Sequence, residues 1–183
     1  MGVLNLTPDS FSDGGLHNDP QAAYAQAQLM HFQGAEIIDI GAESTKPGAE
    51  RIETFEEQRR LLPVLTELSE VVDLSIDTMN SSTAEIALSM GATFINDVSG
   101  GLADPDMHKV VANSDATYIL SHWRGHSKEM YREADYEDVA SEVVGEIKMQ
   151  VERAVSAGID ESRIIVDPGL GFNKDMGQNW ELV

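Results

Sequence analysis

Short apolar, β-branched runs recur along the chain at residues 3–6, 36–40, 74–76, 93–95, 117–120 and 164–166, each bounded by Gly or polar residues. The longer stretches between them carry helix signals. Asp19-Pro20 reads as an N-cap followed by Pro at the first helical position, and Gly34 closes that helix. Thr54-x-x-Glu57 and Ser82-x-x-Glu85 read as capping boxes, with Gly91 placed to stop the second of these helices. Asp104-Pro105 repeats the first signal. The longest helix is predicted over 138–157, where Val139, Val143, Ile147, Val151 and Ala154 share one face before Gly158 ends it. Glu137, Glu142, Glu146 and Glu152 lie off that stripe and read as solvated surface.

Strands alternating with helices imply an α/β fold with a parallel sheet, right-handed crossovers and active residues at the C-terminal strand ends. A doubly wound open sheet and a (β/α)8 barrel both fit this pattern. A barrel needs about 250 residues. At roughly 30 residues per βα unit, 183 residues supply about six units, so a barrel would be two units short of closure.

Composition narrows the function classes. Apolar residues make up 42% and charged residues 24%, ordinary globular usage, which excludes disordered and collagen-like chains. The net charge of −20 repels phosphate backbones and anionic lipid, so neither nucleic acid nor membrane is expected as a partner. No apolar run approaches the ~18 residues of a membrane span, and a soluble, cytoplasmic protein is expected. The absence of Cys excludes disulfides and thiolate metal sites.

The strand ends carry the candidate chemistry. Asn5, Asp39 with Glu43, Asp77, Asn96, Ser121-His122 and Asp167 follow or end successive apolar runs and are expected on one face. Any one of them could cap the next helix instead. As a set, Asp77, Asn96 and Asp167 offer acceptor, mixed and acceptor groups that suit a planar heterocycle bearing an amino group and ring N–H donors. The segment 7–15, with Phe11 as its one aromatic, and the segment 43–48, with Thr45, Lys46 and Pro47, have the composition of loops that close over a ligand. Gly169-Leu170-Gly171-Phe172-Asn173-Lys174 lacks the residues of a nucleotide loop, and His122-x-x-x-His126 lacks the helix and Glu of a zinc site. His17, His31 and His108 read as structural or solvent-facing.

GVLNLTPDSFSDGG, IIDIGAESTKPGA, SIDT, INDVSGG and DPGLGF, in this order, resemble the dihydropteroate synthase family over the whole chain. The resemblance implies a (β/α)8 TIM barrel of which about six βα units are present, a single pterin-binding domain over 1–183 that is incomplete at its C-terminus. It also implies condensation of 6-hydroxymethyl-7,8-dihydropterin diphosphate with 4-aminobenzoate to give 7,8-dihydropteroate and pyrophosphate. By the same resemblance Asp77, Asn96 and Asp167 are pterin ligands with Phe172 beside the ring, and Asp77 and Asp167 are the carboxylates nearest the chemistry. Asn5 helps hold Mg²⁺ against the diphosphate, Thr45 and Lys46 contact it, and Phe11 and Pro47 shape the aminobenzoate pocket. The full-length protein is implied to be a homodimer.

Three departures stand against this background. Lys46 replaces an Arg common in the family, Ser121 replaces a Met, and the family's basic segments on the seventh and eighth strands are absent. A fragment with open edges is expected to be inactive and to melt broadly. A pterin-dependent methyltransferase and a non-catalytic pterin-binding paralogue or scaffold are the alternative functions.

Overall fold

The structure is a computed structural model that describes residues 1–7, 20–43, 51–125 and 135–183. Six strands form one parallel sheet: β1 (Gly2–Asn5), β2 (Ile37–Gly41), β3 (Asp73–Asp77), β4 (Phe94–Asp97), β5 (Thr117–Ser121) and β6 (Ile164–Asp167). They pair in chain order, β1 to β6, without reversal. Doubly wound sheets reverse strand order at a switch point, and this sheet has none. Right-handed crossovers in an unreversed order put every helix on the same side, which makes the chain six successive βα units of a (β/α)8 barrel.

The helices are α1 (Pro20–Phe32), α2 (Thr54–Leu68), α3 (Ser81–Ser89), α4 (Met107–Ala112), α5 (Val139–Ser156) and α6 (Met176–Glu181). The core lies between them and the outer face of the sheet. Leu4, Ile38, Ile40, Leu74, Ile76, Ile95, Tyr118 and Leu120 alternate onto that face, and each is at most 2% exposed. At the two sheet edges Val166, on the helix side, and Val3 and Ile165, on the opposite face, are about half exposed.

The strand pattern appears within a residue or so of each predicted run. Gly34, Gly91 and Gly158 adopt positive φ beyond the helix ends, and Asp138 caps α5 by accepting from the Ser141 N–H. Three cap assignments fail. Thr54 lies inside α2, and Glu53 is its uncapped N-terminal neighbour. Ser82 is likewise inside α3, whose Ser81 N–H donates to Asp104 Oδ2 at 2.8 Å. Asp104 also accepts from the Asp106 N–H, so α4 begins two residues beyond Pro105. In each case an acceptor or donor from another element displaced the local pairing. The expected Asp19 cap lies outside the described residues, although Pro20 does open α1.

Candidate functional site

The face of the sheet away from the helices carries Phe94 and Ile119 among its apolar residues and gathers a polar set at the C-terminal strand ends. Strand register places Asn5, Gly41, Asp77 and Asn96 in one row, and Ser121 beside Asp167 in the next. Asp77, Asn96, Ser121, Asp167 and Phe172, with Val98, Pro168 and Leu170, line one cleft of about 290 Å³. Four of the predicted site residues, Asp77, Asn96, Asp167 and Phe172, therefore meet in one concavity. Asn5 stands across Gly41 from Asp77: a Cβ at Gly41 would lie 3.1 Å from Asp77 Oδ2 and 3.6 Å from Asn5 Oδ1. Phe11, Thr45, Lys46 and Pro47 lie outside the described residues.

The other members of the polar set separate by role. Asp39 is buried beneath the cleft, accepting from Ser75 Oγ at 2.6 Å and from Asn96 Nδ2 at 3.2 Å. This pairing fixes the Asn96 amide and leaves its Oδ1 and second N–H for other partners. Burial raises the Asp39 carboxyl, partly offset by those two hydrogen bonds. Glu43 pairs with Arg51 at 3.4 Å, and its carboxyl is raised, chiefly by burial. His122 turns away from the cleft toward α5, where its Nε2 meets Glu146 Oε2 at 2.9 Å. Among the described residues no cluster of His, Asp or Glu is arranged to hold a metal by itself.

Asp77 has the most costly charge in the site. Burial pushes its carboxyl well above the usual range, and Asp39, Asp97, Glu57 and Glu43 add repulsion. The segment that follows it is fixed by Glu57, 1% exposed, whose carboxylate accepts from Thr78 Oγ1 (2.6 Å), Asn80 Nδ2 (2.8 Å) and Thr83 Oγ1 (2.6 Å). Asp97, the next residue after Asn96, is sealed into the outer face by Ser99, Gly101 and Tyr118.

Asp167 is exposed and accepts the Gly169 N–H at 2.6 Å. The turn beyond it is held by Lys174, only 3% exposed, which donates to Gly169 O (3.0 Å), Phe172 O (2.9 Å) and His122 Nδ1 (3.0 Å). Burial pushes the Lys174 ammonium down to about 8, and burial together with Lys174 lowers His122. Glu146 also binds Arg124, which Glu142 shares at 2.7 Å, so these two acids are not simply solvated surface. The sequence reading missed Lys174 and Glu57. Only a cation after a Gly-rich turn hinted at the first, and an apparent capping box misdirected the second.

The pterin binding enzyme family matches residues 1–183. The dihydropteroate synthase of Mycobacterium leprae is 44% identical over 185 residues, covering 100% of this chain and 65% of that protein. The dihydropteroate synthase of Clostridium difficile, crystallised in the presence of pteroic acid, superposes with a TM-score of 0.92 at 40% identity over 100% of this chain and 68% of its own. That of Xanthomonas albilineans, solved with 4-aminobenzoic acid, gives 0.91 and 38%, covering 100% of this chain and 65% of that one. The chain thus spans about two thirds of the length of these relatives. On its match from the first residue to the last, it belongs to the pterin binding enzyme family.

Proposed function

We propose that this chain supplies the pterin-binding part of a dihydropteroate synthase, which joins 6-hydroxymethyl-7,8-dihydropterin diphosphate to 4-aminobenzoate. The observation that carries the reading is the cleft in which Asp77, Asn96, Asp167 and Phe172 meet, with acceptors on both sides of an amide. A carboxylate accepts parallel N–H bonds from a heterocycle's amino edge, the Asn96 amide gives and takes one each, and Phe172 supplies an apolar wall. Pteroic acid, present with one relative of this chain, carries such a heterocyclic edge, and 4-aminobenzoic acid, present with another, is the proposed second substrate.

In the proposed reaction the bond from the pterin methylene carbon to the diphosphate oxygen breaks as the arylamine nitrogen attacks that carbon. Pyrophosphate departs with the bonding pair, and the amine loses a proton. Asp77 and Asp167 stand on rigid strand ends, where fixed negative charge stabilises the positive charge developing on the methylene carbon. Thr45, Lys46, Phe11 and Pro47 are proposed for the diphosphate and aminobenzoate sides on the resemblance alone.

The Asn5 side chain suits a Mg²⁺ role. It is an exposed amide oxygen on a strand end, and Mg²⁺ takes few protein ligands when substrate phosphates and water complete its shell. Bound there, Mg²⁺ would neutralise charge on the leaving group. A cytoplasmic, homodimeric full-length protein completes the proposal.

Pyrophosphate release by the full-length protein tests the reading. Release is expected only when both substrates are present, and chelation of Mg²⁺ is expected to abolish it. Pterin binding without release would favour the non-catalytic paralogue, and methyl transfer would favour the methyltransferase.

A further inference from the structure

We propose that Lys174 is a positioning residue for the pterin site, holding the turn that carries Phe172 and follows Asp167 through a buried relay to His122 and Glu146; this rests on the dihydropteroate synthase reading. The turn has little apolar packing to fix it; besides Lys174, Asp167 and Asn179 accept from the Gly169 and Gly171 N–H groups. Gly169, Gly171 and Asn173 all take positive φ, and Leu170 and Gly171 are exposed, so apolar burial does not select its shape. Its closure comes from one backbone bond, Phe172 N–H to Gly169 O at 3.0 Å, and from polar staples.

Lys174 is the main staple. All three of its N–H donors are used, two on carbonyls inside the turn and one on His122 at the end of β5. The two carbonyls are thereby drawn to one point, which sets where the Phe172 side chain enters the cleft. A Cβ at Gly169 would collide with His122 O, so the turn is seated directly on the β5 end. Arg124 N–H to Asn173 Oδ1 at 3.1 Å is a second staple to the same segment.

The relay has a fixed polarity. An ammonium group has no lone pair, so His122 Nδ1 must accept from Lys174, and its proton resides on Nε2, facing Glu146 Oε2 at 2.9 Å. Glu146 selects the tautomer that Lys174 requires, as a carboxylate behind a metal-bound His selects the ligating nitrogen. Arg124 in turn holds Glu146. Neither Lys174 nor His122 lines the cleft, so both act through the turn.

Lys174→Met in the full-length protein tests the role, using 6-hydroxymethylpterin as the binding probe. Its Kd is expected to rise at least tenfold, while KM for 4-aminobenzoate at saturating pterin substrate stays within twofold. Arg163→Met is the control: Arg163 ties Ser114 O and Ala116 O at the other end of the same strands, and its loss should destabilise the fold without that split. Glu146→Ala, on a partly solvated helix face, is expected to weaken the probe two- to fivefold in the same selective way. If Lys174→Met fails to fold, Glu146→Ala carries the test: a selective loss supports the role and unchanged affinity overturns it. Unchanged probe affinity in Lys174→Met, or equal losses for both substrates, also overturns it. A wild-type protein that does not bind the probe overturns the dihydropteroate synthase reading, and the positioning role with it.

Discussion

The two walls of the cleft end in the same residue type but are braced by opposite charges. Behind Asp77 a buried carboxylate, Glu57, collects three neutral donors, whereas behind Asp167 a buried ammonium, Lys174, collects three neutral acceptors. Each ion is satisfied by hydrogen bonds instead of by a counter-ion in contact with it, which is how an isolated buried charge is made tolerable. The charges that the two braces bring to their walls differ in sign. Glu57 adds to the repulsion that raises the Asp77 carboxyl, while Lys174 and Asp167 attract one another. The Asp77 wall gathers like charges, whereas the Asp167 wall sets a cation near its carboxylate. Each brace fixes its segment, and on both sides burial works against a charge: it raises the Asp77 carboxyl and lowers the Lys174 ammonium.

The largest expected effect comes from removing the anionic brace. Glu57→Ala leaves three buried or half-buried donors without their acceptor and should destabilise the protein by about 3 kcal/mol or more, read from chemical denaturation. Glu57→Gln keeps an amide oxygen and should cost less. A Glu57→Ala loss near the ~0.5 kcal/mol of an ordinary surface change would break the comparison, because the Asp77 wall would then need no brace.

Asp77→Asn comes next and should separate function from stability. Pterin affinity is expected to fall about tenfold or more, since an amide turns a donor toward one of the N–H groups it must accept, at ~1–3 kcal/mol. Stability at pH 7 should rise. The folded-state pKa of Asp77 lies above its ordinary value of 3.8, so the unfolded chain releases this proton first, and stability falls as pH climbs above that value until the folded group has also titrated. The variant lacks this penalty. Its advantage over wild type should therefore grow with pH above about 4 and vanish below it, measured as paired melts across pH. Affinity within twofold of wild type would remove Asp77 from the pterin site. Asp167→Asn should weaken pterin binding as well, because it turns a donor into the same cleft from the other side.

How far these walls could be read from the sequence depends on the range of the interactions that make them. The period-2 and period-3.6 patterns are local, so all six strands and the long helix over 139–156 were legible, and strand ends pointed to Asp77, Asn96 and Asp167. The order of strands resolved the fold between the two architectures only once pairing was known. Both braces were illegible. Glu57 bonds Thr83 across 26 residues and Lys174 reaches His122 across 52, so local motifs suggested a capping box for one and an idle Gly-rich turn for the other. Glu146, read as solvated surface, is drawn inward by partners 22 and 24 residues away. Asp39 shares the face of the other polar strand residues, as expected, but lies beneath the strand ends because it comes two residues before the end of β2.

The smallest expected effect lies between the walls, at Ser121. It sits beside Asp167 in register, is buried, and lines the cleft with a hydroxyl where the resembling family has an apolar side chain. If the walls alone set pterin recognition, the hydroxyl is not needed. A neutral hydrogen bond is worth only ~0.5–1.5 kcal/mol net, so Ser121→Ala should change affinity for 6-hydroxymethylpterin by less than about threefold. Ser121→Met is the more informative partner. A flexible thioether fills irregular space and adds apolar contact to a ring, so affinity should be kept or raised by a similarly small factor. Loss of binding in Ser121→Met, with Ser121→Ala unaffected, would mean that the 290 Å³ cleft is shaped around a small residue here. Loss in Ser121→Ala would instead make the hydroxyl a third recognition group, set between the two walls.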